Sequence, residues 1–185
     1  MTNLSDFRDD ELDQILDAPG AVLKGATLAD GTPGALQFVL ETAAGAQVFR
    51  EAQEHENDFV RAVAEGLRDR LTAQEAAAAH RRENPGSAVG VAQAAQATRA
   101  AASEGRPDPE RAADEAVALT ASAVALLRGR ADDKDVAAYT EWLLRIARQV
   151  AGAARSRTGG LFSKRVRISA DEQAYLDRLE AAAAG

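Results

Sequence analysis

The sequence predicts an all-α protein, built as a single compact bundle of about seven or eight helices. Alanine, the residue with the highest helix propensity, makes up about a quarter of the chain. Valine, isoleucine and the aromatic residues do not alternate with polar residues at the period of two that marks strands. Residues that start and stop helices recur along the chain. We therefore expect helices joined by short connections, with antiparallel neighbours.

Composition limits the class of protein further. With 185 residues, 46% of them apolar, and no long polar linker, residues 1–185 are expected to form one domain. The absence of cysteine excludes disulfide frameworks, thiolate metal sites and cysteine nucleophiles. The longest apolar stretch, Val117 to Leu127, is too short to cross a bilayer, and the N-terminus is acidic where a signal peptide would be basic. We expect a cytoplasmic protein.

Several residue pairs predict the helix boundaries of the first half. Ser5 opens a first helix, and Pro19-Gly20 ends it. Thr32-Pro33 has the pattern of an N-cap followed by proline at the first helical position. Thr72 and Glu75 form a capping-box pattern, which predicts that an alanine-rich helix begins there and ends at Asn84-Pro85-Gly86. Just before it, apolar residues spaced by three and four predict one buried helix face: Phe59, Val60, Val63, Leu67 and Leu71.

The second half has clearer boundaries after a stretch of weak pattern. Residues 86–105 lack large apolar anchors, so they form either a helix packed through small residues or a mobile segment. Asp108-Pro109 opens the next helix, and Asp132 or Asp133 opens the longest one, which ends at Thr158-Gly159-Gly160. Ser169 and Glu172 form a second capping box before the last helix. The longest helix has an apolar stripe that predicts core positions: Val136, Tyr139, Leu143, Ile146 or Ala147, Val150, Ala154 and, on its flank, Trp142.

No arrangement typical of catalysis is found in the sequence. The Gly-x-Ser-x-Gly elbow and the phosphate-binding loop are both missing, so we expect no enzyme and no cofactor. Glu51 lies one helical turn before His55, so the two side chains could share a helix face and bind a metal ion. The alternative is that both face solvent without a ligand.

Charge segregation is the most distinctive feature. No acidic residue occurs between Trp142 and Ala170, whereas seven basic residues do. We expect an anion or partner site on the residues around the glycine loop: Arg155, Arg157, Phe162, Lys164, Arg165 and Arg167. An anionic membrane surface, with Phe162 as an apolar anchor, is another ligand for the same patch. The alternative is that the basic block pairs with the acidic residues of segment 6–17. No nucleic acid is expected, because the net charge is −7.

Four runs of sequence resemble a known family, most clearly in the C-terminal third. They are Tyr139 to Ala151, Gly159-Gly160-Leu161-Phe162, Val166-Arg167-Ile168-Ser169 and the N-terminal Leu16-Asp17-Ala18-Pro19. They resemble an uncharacterised family of small bacterial all-helical proteins, often described as similar to the tellurite-resistance TerB proteins. The resemblance implies an all-α fold in which the helix carrying Trp142 is buried.

The TerB-like resemblance also implies acidic, metal-binding positions and a link to bacterial stress responses. The TerB pattern is an Asp-Gly pair followed several residues later by a glutamate on the next helix. Asp30-Gly31 matches the pair, but Gln37 stands at the position of the acid, and Glu41 lies one turn further on. The resemblance therefore adds Asp30 to the candidate metal ligands Glu51 and His55, which were inferred from their spacing.

The function expected from these observations is that of a non-enzymatic helical protein-interaction module. Its partner is an unknown protein, and a homodimer is one of the assemblies that this hypothesis allows. The TerB-like resemblance implies a bacterial stress-response setting. The alternative hypothesis is a divalent-cation or small-anion binding protein.

Overall fold

The computed structural model describes residues 2–30, 45–83, 108–153 and 169–185, apart from the side chains of residues 80–83. A 3-10 turn at Leu4–Asp6 precedes the α-helices of the described part, which are α1 (Asp9–Leu28), α2 (residues 45–53), α3 (Asp58–Glu83), α4 (Pro109–Arg128), α5 (Asp133–Ala153) and α6 (Ala170–Ala184). These ranges contain no strand, so the all-α class is confirmed for them. The predictions for Thr32-Pro33, residues 86–105 and Thr158-Gly159-Gly160 lie outside the described residues.

The predicted break at Pro19-Gly20 is wrong, because α1 continues through both residues to Leu28. The helix also begins at Asp9 rather than at Ser5, which lies in the 3-10 turn. Proline has no N–H, so Pro19 leaves the carbonyl of Ile15 without its helical donor. The hydroxyl of Tyr139 in α5 donates a hydrogen bond of 2.7 Å to that carbonyl. Tertiary contact thus replaces the hydrogen bond that the proline removes.

The predicted start of a new helix at Thr72 is also wrong. Residues 58–83 form the single helix α3, and the Thr72 hydroxyl donates to the carbonyl of Arg68 at 3.0 Å instead of capping. A threonine inside a helix commonly makes this bond to the preceding turn. The described part therefore has fewer helices than predicted. The predicted apolar face of α3 is buried only near its start, since Leu71 is 59% exposed.

The predicted helix starts at Asp108, at Asp132 or Asp133, and at Ser169 are confirmed, since α5 begins at Asp133. The Asp108 carboxylate accepts from the backbone N–H groups of Glu110 and Arg111 at 3.1 and 3.3 Å, and Pro109 occupies the first turn of α4. Ser169 and Glu172 exchange side-chain and backbone hydrogen bonds of 3.0 Å at the start of α6.

The core lies around α1, which packs mainly against α4 and α5. The α6 helix contacts α4, and Tyr175 on α6 donates from its buried hydroxyl to the carbonyl of Val22 at 3.0 Å. Gly25 permits this approach, since a Cβ at that position would lie 2.7 Å from the Tyr175 hydroxyl oxygen.

A chain of aromatic rings connects the N-terminus to α2 through the core. Phe7 contacts Phe59, which meets Tyr139, and successive ring centroids lie 6.4 and 6.0 Å apart. Tyr139 then packs edge-on against Trp142 at 6.2 Å, and Trp142 against Phe49 at 5.7 Å. The predicted core stripe of α5 and Trp142 are confirmed as buried, except for Ala154, which lies outside the described residues.

A buried carboxylate at the start of α1 predicts a specific pH dependence of stability. Glu11 accepts a backbone hydrogen bond from Arg8 and ion pairs from Arg8 and Arg130. The Arg8 N–H, helped by the two guanidinium groups and opposed by burial, lowers the pKa of Glu11 from 4.5 to about 2. Because the folded pKa is the lower one, this stabilisation is present above pH 4.5 and is lost as the pH falls towards 2.

The substitution Glu11→Gln tests this dependence. The variant should be less stable than the wild type at neutral pH, and the difference should shrink as the pH falls from 4.5 towards 2. Urea unfolding of both proteins across this pH range measures the difference. A stability difference that stays constant with pH would contradict the assignment.

Candidate binding groove beside Trp142

Two adjoining cavities form an open groove between α5 and the connection that joins α2 to α3. Their volumes are about 530 and 440 Å³, and both are lined by His55, Glu56, Trp142 and Arg145. We call this feature the Trp142 groove. Residues 54–57 form one wall, and residues 134–145 of α5 form the other.

Hydrogen bonds hold the wall at residues 54–57 in place. Asn57 caps α3, since its side-chain oxygen accepts from the backbone N–H of Val60 at 3.1 Å. The backbone N–H of Asn57 donates to Nδ1 of His55 at 3.1 Å. The Arg61 guanidinium donates to the carbonyls of His55 and Glu56. The connection is therefore tied to the first turn of α3.

The carboxylate of Asp135 joins this wall to the start of α5. Asp135 is 3% exposed and accepts from the Asn57 amide at 2.9 Å and from the backbone N–H of Thr2 at 3.0 Å. Burial raises the pKa of Asp135, but the hydrogen bonds from Thr2 and Asn57 outweigh it, so the pKa lies below its ordinary value. Asp135 is thus a charged, satisfied group that positions Asn57.

Trp142 carries an unsatisfied donor next to the groove. Its side chain lines both cavities although it is only 2% exposed, and its Nε1–H has no hydrogen-bond partner in the described part of the chain. Buried polar groups are nearly always hydrogen-bonded, and leaving one unsatisfied costs about 1–3 kcal/mol. A buried donor that lacks an acceptor among the described residues therefore belongs to a side chain that lines the groove.

The rim of the groove has more negative than positive charge. Glu54, Glu56 and Glu141 are exposed and have no ion-pair partner among the described residues. The cation of Arg145 is already paired with Glu51, at 2.5 Å. Apart from Arg145, Lys134 is the one lysine or arginine among the described residues that line the two cavities. The groove therefore favours a cation over an anion.

The structure places Glu51 and His55 in the lining of the 440 Å³ cavity, but Asp30 lies elsewhere, so the three predicted metal ligands do not form one site. Glu51 pairs with Arg145, and Nδ1 of His55 is occupied by Asn57. Asp30 follows α1 and accepts a hydrogen bond from the Ser169 hydroxyl, next to α6. Within the described ranges, no group of three or more histidine and carboxylate side chains could hold a metal ion.

The predicted basic site lies outside the described residues, since it consists of Arg155, Arg157, Phe162, Lys164, Arg165 and Arg167. The two described residues of the basic block that begins at Arg145 are both in ion pairs. Arg148 binds Glu180 at 2.6 Å, and Arg145 binds Glu51. In the acidic N-terminal segment, Asp13 and Asp17 pair instead with Arg70 of α3.

Sequence reasoning identified His55 and Glu51 and placed Trp142 in the core in preference to a ligand pocket. The burial of Trp142 is confirmed, and its side chain also lines the groove. The sequence contained one signal for a binding role of Trp142, since a buried indole N–H normally requires a hydrogen-bond partner.

Comparisons with protein-family models, curated proteins and solved structures gave no match for this chain. The TerB-like resemblance therefore stays a prediction. None of the described helices is both long enough and apolar enough to cross a membrane.

Proposed function

We propose that the protein is a non-enzymatic interaction module that binds a segment of a partner protein in the Trp142 groove. The observation that carries this proposal is the nearly buried indole N–H of Trp142, which lacks an acceptor beside two open cavities. An extended peptide offers a carbonyl acceptor at every residue, and main-chain hydrogen bonds commonly supply affinity in such complexes. The bacterial stress-response setting rests on the TerB-like resemblance alone.

Peptide selection tests the proposed function. A random peptide library displayed on phage is selected on the immobilised protein, and the selected peptides are measured against the wild type and Trp142→Phe. Phenylalanine retains an aromatic ring beside Phe49 and Tyr139 but removes the donor. We expect the substitution to raise Kd about tenfold, since a net hydrogen bond contributes about 1–1.5 kcal/mol.

A fold control accompanies this comparison. The thermal unfolding of Trp142→Phe should remain cooperative, because the ring stays in the core. Selected peptides that bind both proteins equally would contradict the proposed role of Trp142. A selection that enriches no peptide would contradict the proposed function as a whole.

A further inference from the structure

We infer that the segment held in the Trp142 groove is extended and basic, with lysine or arginine side chains that meet the rim carboxylates while a backbone carbonyl accepts from Trp142. This inference rests on the proposed function. It names the chemistry of the partner, and two independent observations support it. One is the unsatisfied indole donor, and the other is the surplus of carboxylates that have no ion-pair partner among the described residues.

The carboxylates lie on both walls of the groove. Glu56 belongs to the connection at residues 54–57, whereas Glu141 precedes Trp142 on α5, and both line the 530 Å³ cavity. Glu54 adds a third charge in the adjoining 440 Å³ cavity. A cationic side chain lying between these walls gains attraction from both sides, and the net charge of −7 strengthens it at long range.

The ligand must supply a cation for the rim carboxylates and an acceptor for the indole N–H. These two requirements together identify a peptide rather than a small ion. A polyamine supplies cations but no acceptor for the indole N–H, because its nitrogens are protonated. A phosphate supplies acceptors but is repelled by the three rim carboxylates. Arg145, the described arginine that lines both cavities, is paired with Glu51. A lysine-bearing or arginine-bearing peptide supplies a cation and a carbonyl within one residue.

The Arg145–Glu51 pair lies in the lining of the groove and can separate when the segment binds. The Arg145 side chain lines both cavities and is 54% exposed. Exposed ion pairs contribute only about 0–1 kcal/mol, so a cation from the peptide can replace Arg145 on Glu51 at little cost. Movement of Arg145 would open the groove beside Trp142 as the segment binds.

Synthetic peptides test the charge requirement directly. A nine-residue peptide of alternating lysine and alanine and its glutamate counterpart, both capped at the ends, are titrated into the full chain. Trp142 is the only tryptophan, so its fluorescence reports on the groove. We expect the lysine peptide to change the fluorescence and to bind more weakly at higher salt. Equal binding of both peptides, or equal binding of spermidine, would overturn the inference.

A pair of double variants separates the groove from general surface charge. Glu56→Gln with Glu141→Gln should weaken binding of the lysine peptide about three- to tenfold. Glu75→Gln with Glu110→Gln removes the same charge from exposed positions away from the groove and should leave Kd nearly unchanged. Equal effects of both pairs would overturn the inference.

The selected peptides distinguish a failure of the basic chemistry from a failure of the proposed function. Selected peptides that require Trp142 but lack lysine and arginine would leave the proposed function standing and overturn the basic chemistry. Enrichment of lysine and arginine in the peptides selected on the wild type should be lost in peptides selected on the double variant Glu56→Gln with Glu141→Gln. That result would support both the proposed function and the basic chemistry of the partner.

Discussion

Tyr139→Phe is expected to lower the free energy of unfolding by about 1–3 kcal/mol, although it removes a single oxygen atom. That oxygen donates to the carbonyl of Ile15, which Pro19 leaves without a helical partner. Burial raises the pKa of Tyr139, so its hydroxyl stays protonated and remains a donor at neutral pH. Urea unfolding at neutral pH measures the loss.

A double-mutant cycle with Pro19→Ala isolates this hydrogen bond. Alanine at position 19 restores an N–H that can bond to the carbonyl of Ile15, as in an ordinary helix. Tyr139→Phe should therefore cost less in the Pro19→Ala background than in the wild type. Equal costs in both backgrounds would show that the Tyr139 hydroxyl does not compensate for the proline.

The second large effect is expected at Gly25, where α1 meets α6. In Gly25→Ala the added Cβ would lie 2.7 Å from the hydroxyl oxygen of Tyr175 and 3.0 Å from two of its ring carbons. The ring must then shift, and its hydrogen bond to the carbonyl of Val22 is strained or lost. Overpacking of this kind costs about 1–3 kcal/mol, which a thermal melt detects as a lower Tm.

Gly20 provides the matched control in the same helix. A Cβ at Gly20 would meet nothing within 4 Å, and the position is exposed. Gly20→Ala should therefore stabilise the protein by about 0.5–1 kcal/mol through helix propensity alone. If both alanine variants change stability in the same direction, the close approach of Tyr175 does not explain the need for glycine at position 25.

The fold class and the local caps could be predicted from the sequence because their causes are local. The Asp108 and Ser169 side chains bond to backbone groups within three residues. Pro19 could not be interpreted correctly, because the group that satisfies Ile15 lies 124 positions away. Thr72 fits two patterns equally well from sequence, a cap and an interior bond to Arg68, and neighbouring residues do not distinguish them.

The candidate site was predicted only in part, because its contacts join residues that lie far apart in the sequence. Glu51 and His55 have a spacing that suits a shared helix face, but Glu51 pairs with Arg145, which lies 94 positions away. The position of Trp142 in the core follows from the apolar stripe of α5. The cavities beside Trp142 depend on the position of the connection at residues 54–57. Asn57 fixes that position by donating to Asp135 and accepting from the backbone N–H of Val60.

In the proposed complex, the indole N–H of Trp142 donates a hydrogen bond to an acceptor of the bound peptide. Because Trp142 is the only tryptophan, the ¹⁵N-labelled protein gives one indole signal, which reports on this single donor. Adding the lysine–alanine peptide, or a peptide selected from the library, should shift that signal downfield as the hydrogen bond forms. An indole signal that stays unmoved at saturating peptide would contradict the proposed hydrogen bond.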